Sequence, residues 1–331
     1  MIELLHSIYD HQATFPGDER YYEKVLKLDR LPSIAPQLYS LLKDRDLITQ
    51  TPSGFQECLK EAHTQTLFKN LFIKHQTEEI MRALDRLGIE VIPLKGIFFA
   101  ERYFGESGAR PTSDIDLLVN RSAIHKATDC IKKLGFSFEE ESLPGHFHCC
   151  LSKELPGSPV PLCVEIHWDI VKEDTSNLEI AEFWEESTPL DGYDYVYELS
   201  AYHTFYLMCL HAWRHNLDSL KCYVDLLQMI DISGKSIDFL RLRHDARLHK
   251  TWRRVVRTLS ILYHKFPFMR KVTSFPYERP IRYAISTKTT GAMKYVNFVD
   301  YHLLSYDSPK HGLIGLYTGM KEHMPIQKLK K

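Results

Sequence analysis

Hydrophobic residues recur at steps of three and four positions through the first quarter of the chain, which is the spacing of one face of an α-helix. Shorter helices are indicated from Glu19 onward, where Tyr22 and Val25 follow this period. Over residues 55–87 the period continues without an internal glycine or proline, and Gly88 comes directly afterwards. The pattern predicts one long amphipathic helix that ends at a glycine.

A strand, a helix and a second strand are predicted after the long helix. Residues 91–94 form an apolar run typical of a buried strand, residues 97–104 have helical spacing, and residues 114–119 again have the character of a strand. Alternate side chains of a strand share one face, so Asp114 and Asp116 point the same way. Two carboxylates this close repel each other unless a cation lies between them. The stretch therefore predicts a metal site.

Residues 145–171 contain two extended runs joined by a turn rich in proline, glycine and serine, which predicts a β-hairpin. In the second run Cys163, Glu165 and His167 alternate onto one face. A glutamate in an otherwise apolar strand is costly to bury unless a cation or a hydrogen-bond donor accompanies it. We therefore predict that Glu165 joins the two aspartates. A salt bridge between Glu165 and Arg110 is the alternative.

Beyond residue 199 the periodicity is almost wholly helical. Helices are predicted over residues 201–216, 221–230, 239–248 and 252–264. The first carries His211 and His215 on one face, and the second carries Asp225 among apolar residues. The sequence assigns no role to the residues after 266.

Composition limits the classes of partner. The chain has 331 residues, enough for two lobes, since single cores rarely grow beyond about 250 to 300 residues. Lys and Arg number 42 against 43 Asp and Glu, so no overall basic field attracts nucleic acid, and a nucleic-acid partner is not expected. Seven cysteines without CxxC spacing, behind an N-terminus unlike a signal or transit peptide, favour free thiols in a reducing cytoplasm. No apolar run reaches the length of a membrane span, so a soluble protein without a membrane partner is expected.

Several motifs together carry a resemblance to a known family. They are LKG at residues 94–96, RPTSDIDLLV at 110–119, VEIHW at 164–168, and the later His211, His215 and Asp225. In this combination the chain resembles, over roughly residues 30 to 235, the bacterial nucleotidyltransferase family of the DNA polymerase β superfamily. An acidic pair alone is weak evidence, and the spacing of the three motifs makes the signal fairly specific.

The resemblance implies an α+β fold, with a small mixed β-sheet flanked by helices, N-terminal helices and a helical C-terminal lobe. It places an N-terminal helical region at residues 1–88, the nucleotidyltransferase-like core at 89–195 and the helical domain at 196–331. It also implies that Asp114 and Asp116 hold Mg²⁺, or Mn²⁺, against a nucleoside triphosphate, and that Glu165 is the third ligand or a general base.

Nucleotide contacts are predicted around these acids. Gly96 lets backbone N–H groups at a helix start approach phosphate, and Lys95 adds a positive charge. The wider superfamily has Gly-Ser at this turn, whereas this chain has Lys-Gly-Ile, so the serine contact is missing. The full set of predicted nucleotide-binding residues is Lys95, Gly96, Arg110, Ser113, His167, His211 and Asp225.

Structural roles remain open for some of these residues: a solvated lysine at position 95, a loop contact for Arg110, and a hydrogen bond from Asp225 to Lys221. His146, His148 and Cys150 also alternate onto one face near Cys163. This pattern is compatible with a structural zinc or, as the better functional interpretation, with a histidine-lined acceptor pocket.

The predicted activity is metal-dependent transfer of a nucleotidyl group from a nucleoside triphosphate to an acceptor oxygen. By analogy with the family, the acceptor is a peptide natural product or a small molecule. Two alternatives stay open. The same cleft can use a nucleotide sugar and transfer its glycosyl or phosphosugar part, or the protein can be a catalytically silent module that binds a nucleotide or a peptide.

Overall fold

A computed structural model describes residues 1–10, 12–139, 146–155, 160–281 and 292–323 of the chain. The turn of the predicted hairpin, at residues 156–159, lies outside these ranges, as do residues 282–291 and 324–331 of the segment without a predicted role.

Helices dominate both ends of the chain, and the strands lie in the middle. The α-helices are α1 (Ile2–Tyr9), α2 (Glu19–Leu26), α3 (Ala35–Asp44), α4 (Ser53–Asp85), α5 (Ile97–Phe104), α6 (Ile124–Lys133), α7 (Ala181–Glu185), α8 (Ala201–Arg214), α9 (Leu220–Ser233), α10 (Phe239–Leu248), α11 (Trp252–Lys265), α12 (Ala292–Val299) and α13 (Pro309–His323). The strands are β1 (Val91–Pro93), β2 (Asp114–Val119), β3 (Ser137–Phe138), β4 (His148–Lys153), β5 (Leu162–His167), β6 (Thr188–Pro189) and β7 (Tyr197–Glu198).

Within the described residues, five strands form one mixed sheet in the order β1-β2-β5-β4-β3. Strand β2 runs parallel to β5, and the other neighbouring pairs are antiparallel. The parallel pair requires a long connection, which α6, β3 and β4 provide. This topology places the strand with the two aspartates directly beside the strand with the glutamate.

The two faces of the sheet differ in polarity because side chains alternate along each strand. Asp116 is paired with Glu165, and His148 is paired with His167, so these residues lie on one polar face. The opposite face is apolar and packs against α4 and α6. Its buried residues include Ile115, Leu117, Val119, Val164, Ile166 and Leu151.

A second hydrophobic core joins the N-terminal helices to the C-terminal helices. It contains Leu4 and Leu38 from the first region together with Tyr206, Leu227 and Val255 from the last. The two helical ends of the chain therefore share one core beside the polar face of the sheet. The boundaries at residues 88 and 195 stay a prediction.

The α+β architecture predicted from the sequence is confirmed. Helix α4 covers residues 53–85 where one long helix was predicted over 55–87, and α5, β2 and α10 have the predicted bounds. In the part of the chain that the structure describes, no helix combines the length and apolar character required to cross a membrane.

The expectation of free thiols is wrong for two of the cysteines. Cys150 and Cys163 form a disulfide between β4 and β5. They lie on the same face of the sheet in a diagonal position, since Cys163 is opposite Ser152, two residues from Cys150. Their Cα atoms are 6.5 Å apart, which is within the normal span of a disulfide. The free cysteines are Cys58, Cys130, Cys149, Cys209 and Cys222.

Candidate functional site

The three predicted acidic residues come together on the polar face of the sheet. Asp114 and Asp116 are on β2, and Glu165 is opposite Asp116 on β5. One carboxylate oxygen from each residue lies within 4.8 Å of the others. Hard divalent cations such as Mg²⁺ prefer oxygen ligands of this kind. The convergence that the sequence predicted is present, and the role of the three residues as metal ligands stays a prediction.

Lys95 supplies the positive charge nearest to the aspartates. Its Nζ lies 2.7 Å from Asp116 Oδ2 and 3.6 Å from Asp114 Oδ2. Burial disfavours the charged lysine, but attraction from the carboxylates of Asp116 and Asp114 outweighs it and raises the pKa of Lys95. The ammonium group is therefore charged at neutral pH and balances the acidic pair. It is not the solvated lysine of the structural alternative, because only 14% of its side chain is exposed.

Gly96 makes the turn that carries Lys95 into the site. Its φ of +73° and ψ of −128° are a conformation that residues with a Cβ rarely adopt. A Cβ there would also lie 3.3 Å from Thr112 Cγ2. Helix α5 begins at the next residue, so its free backbone N–H groups start beside Lys95. The predicted phosphate contact at Gly96 stays a prediction.

His167 links two of the acids. Its Nε2 lies 3.0 Å from Asp116 Oδ1 and 3.1 Å from Glu165 Oε2. Burial opposes protonation of His167, but its contacts with the carboxylates of Asp116 and Glu165 raise its pKa. Burial likewise opposes ionisation of both acids, yet Lys95 and His167 lower the pKa of Asp116, and His167 lowers that of Glu165. All three groups are thus held in their charged forms.

The acidic cluster fits a divalent cation. Asp116 Oδ2 and Glu165 Oε2 are buried and accept no well-aligned hydrogen bond from the described residues, although Lys95 and His167 lie at ion-pair distance. Buried oxygens without hydrogen-bond donors can accept a further partner such as a cation. Asp114 is only partly buried, and Ser113 Oγ lies 3.3 Å from its Oδ1 at the exposed start of β2. The donor set is hard oxygen throughout.

His148 is a neighbour of the site that the motifs did not assign to it. Its ring centroid lies 5.0 Å from that of His167, and His148, Glu165 and His167 form a second group that can hold a metal ion. Burial, together with the charge of His167, lowers the pKa of His148 to about 4. The signal available in the sequence was its position in the hairpin, opposite His167. The zinc alternative lacks its sulfur ligands here, because the disulfide occupies both Cys150 and Cys163.

Arg110 and Asp225 bind each other. Arg110 Nε and Nη2 each donate to one carboxylate oxygen of Asp225, both at 2.9 Å, and Gln37 also donates to Asp225. The pair is fully buried between the sheet region and α9. The alternative pairing of Arg110 with Glu165 is therefore wrong. Lys221 donates to the carbonyl of Pro111 at 2.8 Å. The nucleotide contacts predicted for Arg110 and Asp225 stay predictions.

His211 faces the acids from the helical lobe. With Lys95 and His167 it lines a small cavity of about 20 Å³, and its ring lies 4.5 Å from that of His215. Burial, together with the charge of Lys95, lowers the pKa of His211 well below the usual histidine value. Two larger cavities adjoin this one. A cavity of about 410 Å³ also includes Lys95 in its wall, and a cavity of about 300 Å³ includes His146 and His148.

Comparison with known proteins gives one match. A family model described as an uncharacterised nucleotidyltransferase matches residues 18–267, more than two thirds of the 331-residue chain. No curated protein and no solved structure matches the chain. The matched span contains β2 and β5, which carry the acids, and the turn between β1 and α5, which carries Lys95, and it continues through α11.

Proposed function

The chain belongs to the uncharacterised nucleotidyltransferase family, as its motifs predicted, and from this premise we propose that it transfers a nucleotidyl group from a nucleoside triphosphate to an acceptor oxygen. The observation that carries the proposal is the convergence of Asp114, Asp116 and Glu165 on one sheet face, within 4.8 Å of one another. A family name alone leaves open whether this chain has kept the site, and the intact acidic cluster supports an active enzyme.

The three carboxylates would hold Mg²⁺ or Mn²⁺. When bound, divalent ions neutralise the charge that develops on the phosphate and on the attacking and leaving oxygens. The site supports this role because its ligand atoms are carboxylate oxygens, and two of them, Asp116 Oδ2 and Glu165 Oε2, accept no well-aligned hydrogen bond from the described residues. Glu165 stays ionised, since His167 lowers its pKa, and a carboxylate can bind a cation or accept the proton of an acceptor hydroxyl.

Lys95 and the start of α5 would bind the triphosphate. The ammonium group balances Asp116 in the structure, and a divalent cation on the same carboxylate would free it to contact phosphate oxygens. Backbone N–H groups at the start of α5 add a favourable field for an anion. This pairing of lysine with a helix start replaces the serine of the wider superfamily. The acceptor we propose is a peptide or a small molecule.

The proposal is tested by pyrophosphate release from nucleoside triphosphates with Mg²⁺ or Mn²⁺, in the presence of candidate acceptors. We expect release by the wild type and loss of at least a hundredfold in Asp116→Asn, because the central ligand is weakened. The mass of the product distinguishes a nucleotidyl adduct from a hexosyl adduct. Nucleotide binding by both proteins without turnover would favour the silent binding module instead.

A matched control for the variant is Asp231→Asn. Asp231 is also a carboxylate paired with a cation, Arg45, at 2.6 Å, but it lies in α9 away from the acidic cluster. We expect this variant to retain pyrophosphate release. Equal loss in both variants would mean that the assay reports impaired folding, and the proposal would then lose its support.

A further inference from the structure

A buried arginine that forms no ion pair with any described residue lies in the wall of the 300 Å³ cavity, and Asp307 acts on it only from beyond ion-pair distance. Arg254 on α11 is 0% exposed, and the guanidinium carbon lies 4.7 Å from the ring centroid of Trp213 and 4.5 Å from that of Tyr306. Its Nη2 donates to the carbonyl of Thr175, whereas its Nε has no hydrogen-bond acceptor in the described ranges. No carboxylate of the described residues lies within ion-pair distance of this guanidinium.

A second arginine lines the same cavity. Arg214, at the end of α8, lies 5.2 Å from the ring centroid of Phe147, and it too has no ion pair with any described carboxylate. It also lines the small cavity that contains Lys95 and His167. No aspartate or glutamate contributes to the described wall of the 300 Å³ cavity. Two guanidinium groups therefore give this cavity a positive potential that the wall does not neutralise.

Two other buried arginines form the ion pair that Arg254 lacks among the described residues. Arg257, one turn along α11, pairs with Asp300 at 2.5 Å, and Arg110 pairs with Asp225 at 2.9 Å. An ionised group is expensive to bury without a partner, and burial accordingly lowers the pKa of Arg254. A planar guanidinium packed against two aromatic rings is preorganised to bind an oxyanion through paired N–H groups. Arg254 has the features of a binding group whose partner is a ligand.

The cavity lies beside the acidic cluster. His148 lines it, and the ring centroid of His148 lies 5.0 Å from that of His167, which contacts Asp116 and Glu165. The small cavity around Lys95 shares Arg214 with it. A ligand held at Arg254 would thus extend toward the carboxylates from the side of β4. The 410 Å³ cavity adjoins Lys95 and α5 instead and shares no lining residue with this one.

We propose that the 300 Å³ cavity binds the acceptor through an oxyanion, a carboxylate or a phosphate, carried on an aromatic or apolar body. The aromatic walls match the body, and Arg254 and Arg214 match the anion. A volume of about 300 Å³ is at the lower end for small-molecule sites, so a compact ligand or one residue of a peptide fits. The identification of this ligand as the acceptor rests on the proposed nucleotidyl transfer, whereas oxyanion binding does not.

The test is calorimetric titration of the full chain with phenyl phosphate, benzoate and the neutral benzyl alcohol. The wild type should bind at least one of the two anions at least tenfold more tightly than the alcohol. Arg254→Met should lose that preference, a loss of tenfold or more in affinity for the anion, because a charged hydrogen-bond partner is removed. Tighter binding of phenyl phosphate identifies a phosphorylated acceptor, and tighter binding of benzoate identifies a carboxylated one.

Arg257→Met is the matched control, since it removes a buried arginine of the same helix that has its own carboxylate. It should unfold at a lower denaturant concentration than Arg254→Met, because Asp300 loses its partner, but it should keep the wild-type affinity for the anion. If Arg254→Met fails to fold, Arg214→Met at the less buried end of the cavity should show the same loss of anion affinity.

Equal binding of anions and alcohol, or anion affinity that survives both Arg254→Met and Arg214→Met, would overturn the inference. So would equal losses in the Arg254 and Arg257 variants. Failure of this kind leaves the proposed function intact if nucleotide and Mg²⁺ still produce pyrophosphate. Conversely, anion binding without any triphosphate turnover would support the cavity while removing the reason to identify its ligand as an acceptor.

Discussion

Replacement of Lys95 by methionine tests whether the lysine acts as the internal counter-ion of the acidic cluster. Lys95 Nζ lies 2.7 Å from Asp116 Oδ2, and the side chains of Lys95 and Asp116 are 14% and 0% exposed. Removal of one partner from a buried ion pair costs about 3 to 5 kcal/mol. Because His167 still contacts Asp116 at 3.0 Å, we expect the lower end, about 3 kcal/mol of unfolding free energy.

The same substitution should increase the response to divalent cations. Without the ammonium group, Asp114 and Asp116 repel each other and attract Mg²⁺ or Mn²⁺ more strongly. A ligand at a hundred times its dissociation constant adds about 2.7 kcal/mol to stability. Saturating Mg²⁺ should therefore return most of the stability that Lys95→Met loses, whereas the wild type should gain less.

The measurement is urea unfolding at several Mg²⁺ concentrations, followed by circular dichroism. The control is Lys74→Met, which breaks a more exposed ion pair with Glu101, also at close range (2.6 Å). Exposed pairs contribute about 0 to 1 kcal/mol, and this variant should show the wild-type response to Mg²⁺. If Lys95→Met is as stable as the wild type without Mg²⁺, or responds to Mg²⁺ no more strongly, the counter-ion role is refuted.

Three further predictions concern the residues around the cluster. Glu165→Gln should lower pyrophosphate release at least a hundredfold while the circular dichroism spectrum stays unchanged, because the amide is a poor ligand for a hard cation; activity near that of the wild type would exclude it from the site. Asp225→Asn should lower the unfolding free energy by about 3 kcal/mol in urea titrations, since Arg110 loses a buried carboxylate, and a loss below about 1 kcal/mol would contradict this. Burial and the charge of Arg214 lower the pKa of His215 to about 4, so the unfolded chain binds this proton first and stability falls as pH drops from about 6.5 to 4. His215→Gln should reduce that fall by about 1 kcal/mol, since the side chain is exposed and solvent screens the interaction, and an unchanged pH profile of urea unfolding would contradict it.

The central part of the fold could be predicted from local patterns. The alternation in β2 fixes Asp114 and Asp116 on one face whatever the strand pairs with, and helical spacing without breakers predicts α4. The position of Glu165 beside them required more, because parallel pairing of β2 with β5 joins segments about fifty residues apart. Periodicity does not indicate this pairing, and the family resemblance did.

Contacts between distant segments were not predictable in the same way. Arg110 and Asp225 are 115 residues apart, and nothing local to either residue shows that they pair. The disulfide depends on the register between β4 and β5, because Cys163 pairs with Ser152 and not with Cys150. The hairpin pattern in the sequence does not determine that register. Arg254 belongs to no motif, and its significance comes only from the absence of a carboxylate within ion-pair distance among the described residues.

The most direct measurement is calorimetric titration of Mn²⁺ into the wild type and into Asp116→Asn, with circular dichroism to show that both are folded. If the three carboxylates form a metal site, the wild type binds Mn²⁺ and the variant binds it at least tenfold more weakly. Equal affinity in the two proteins, or no binding by the wild type with or without a nucleoside triphosphate, would contradict a metal site at Asp114, Asp116 and Glu165.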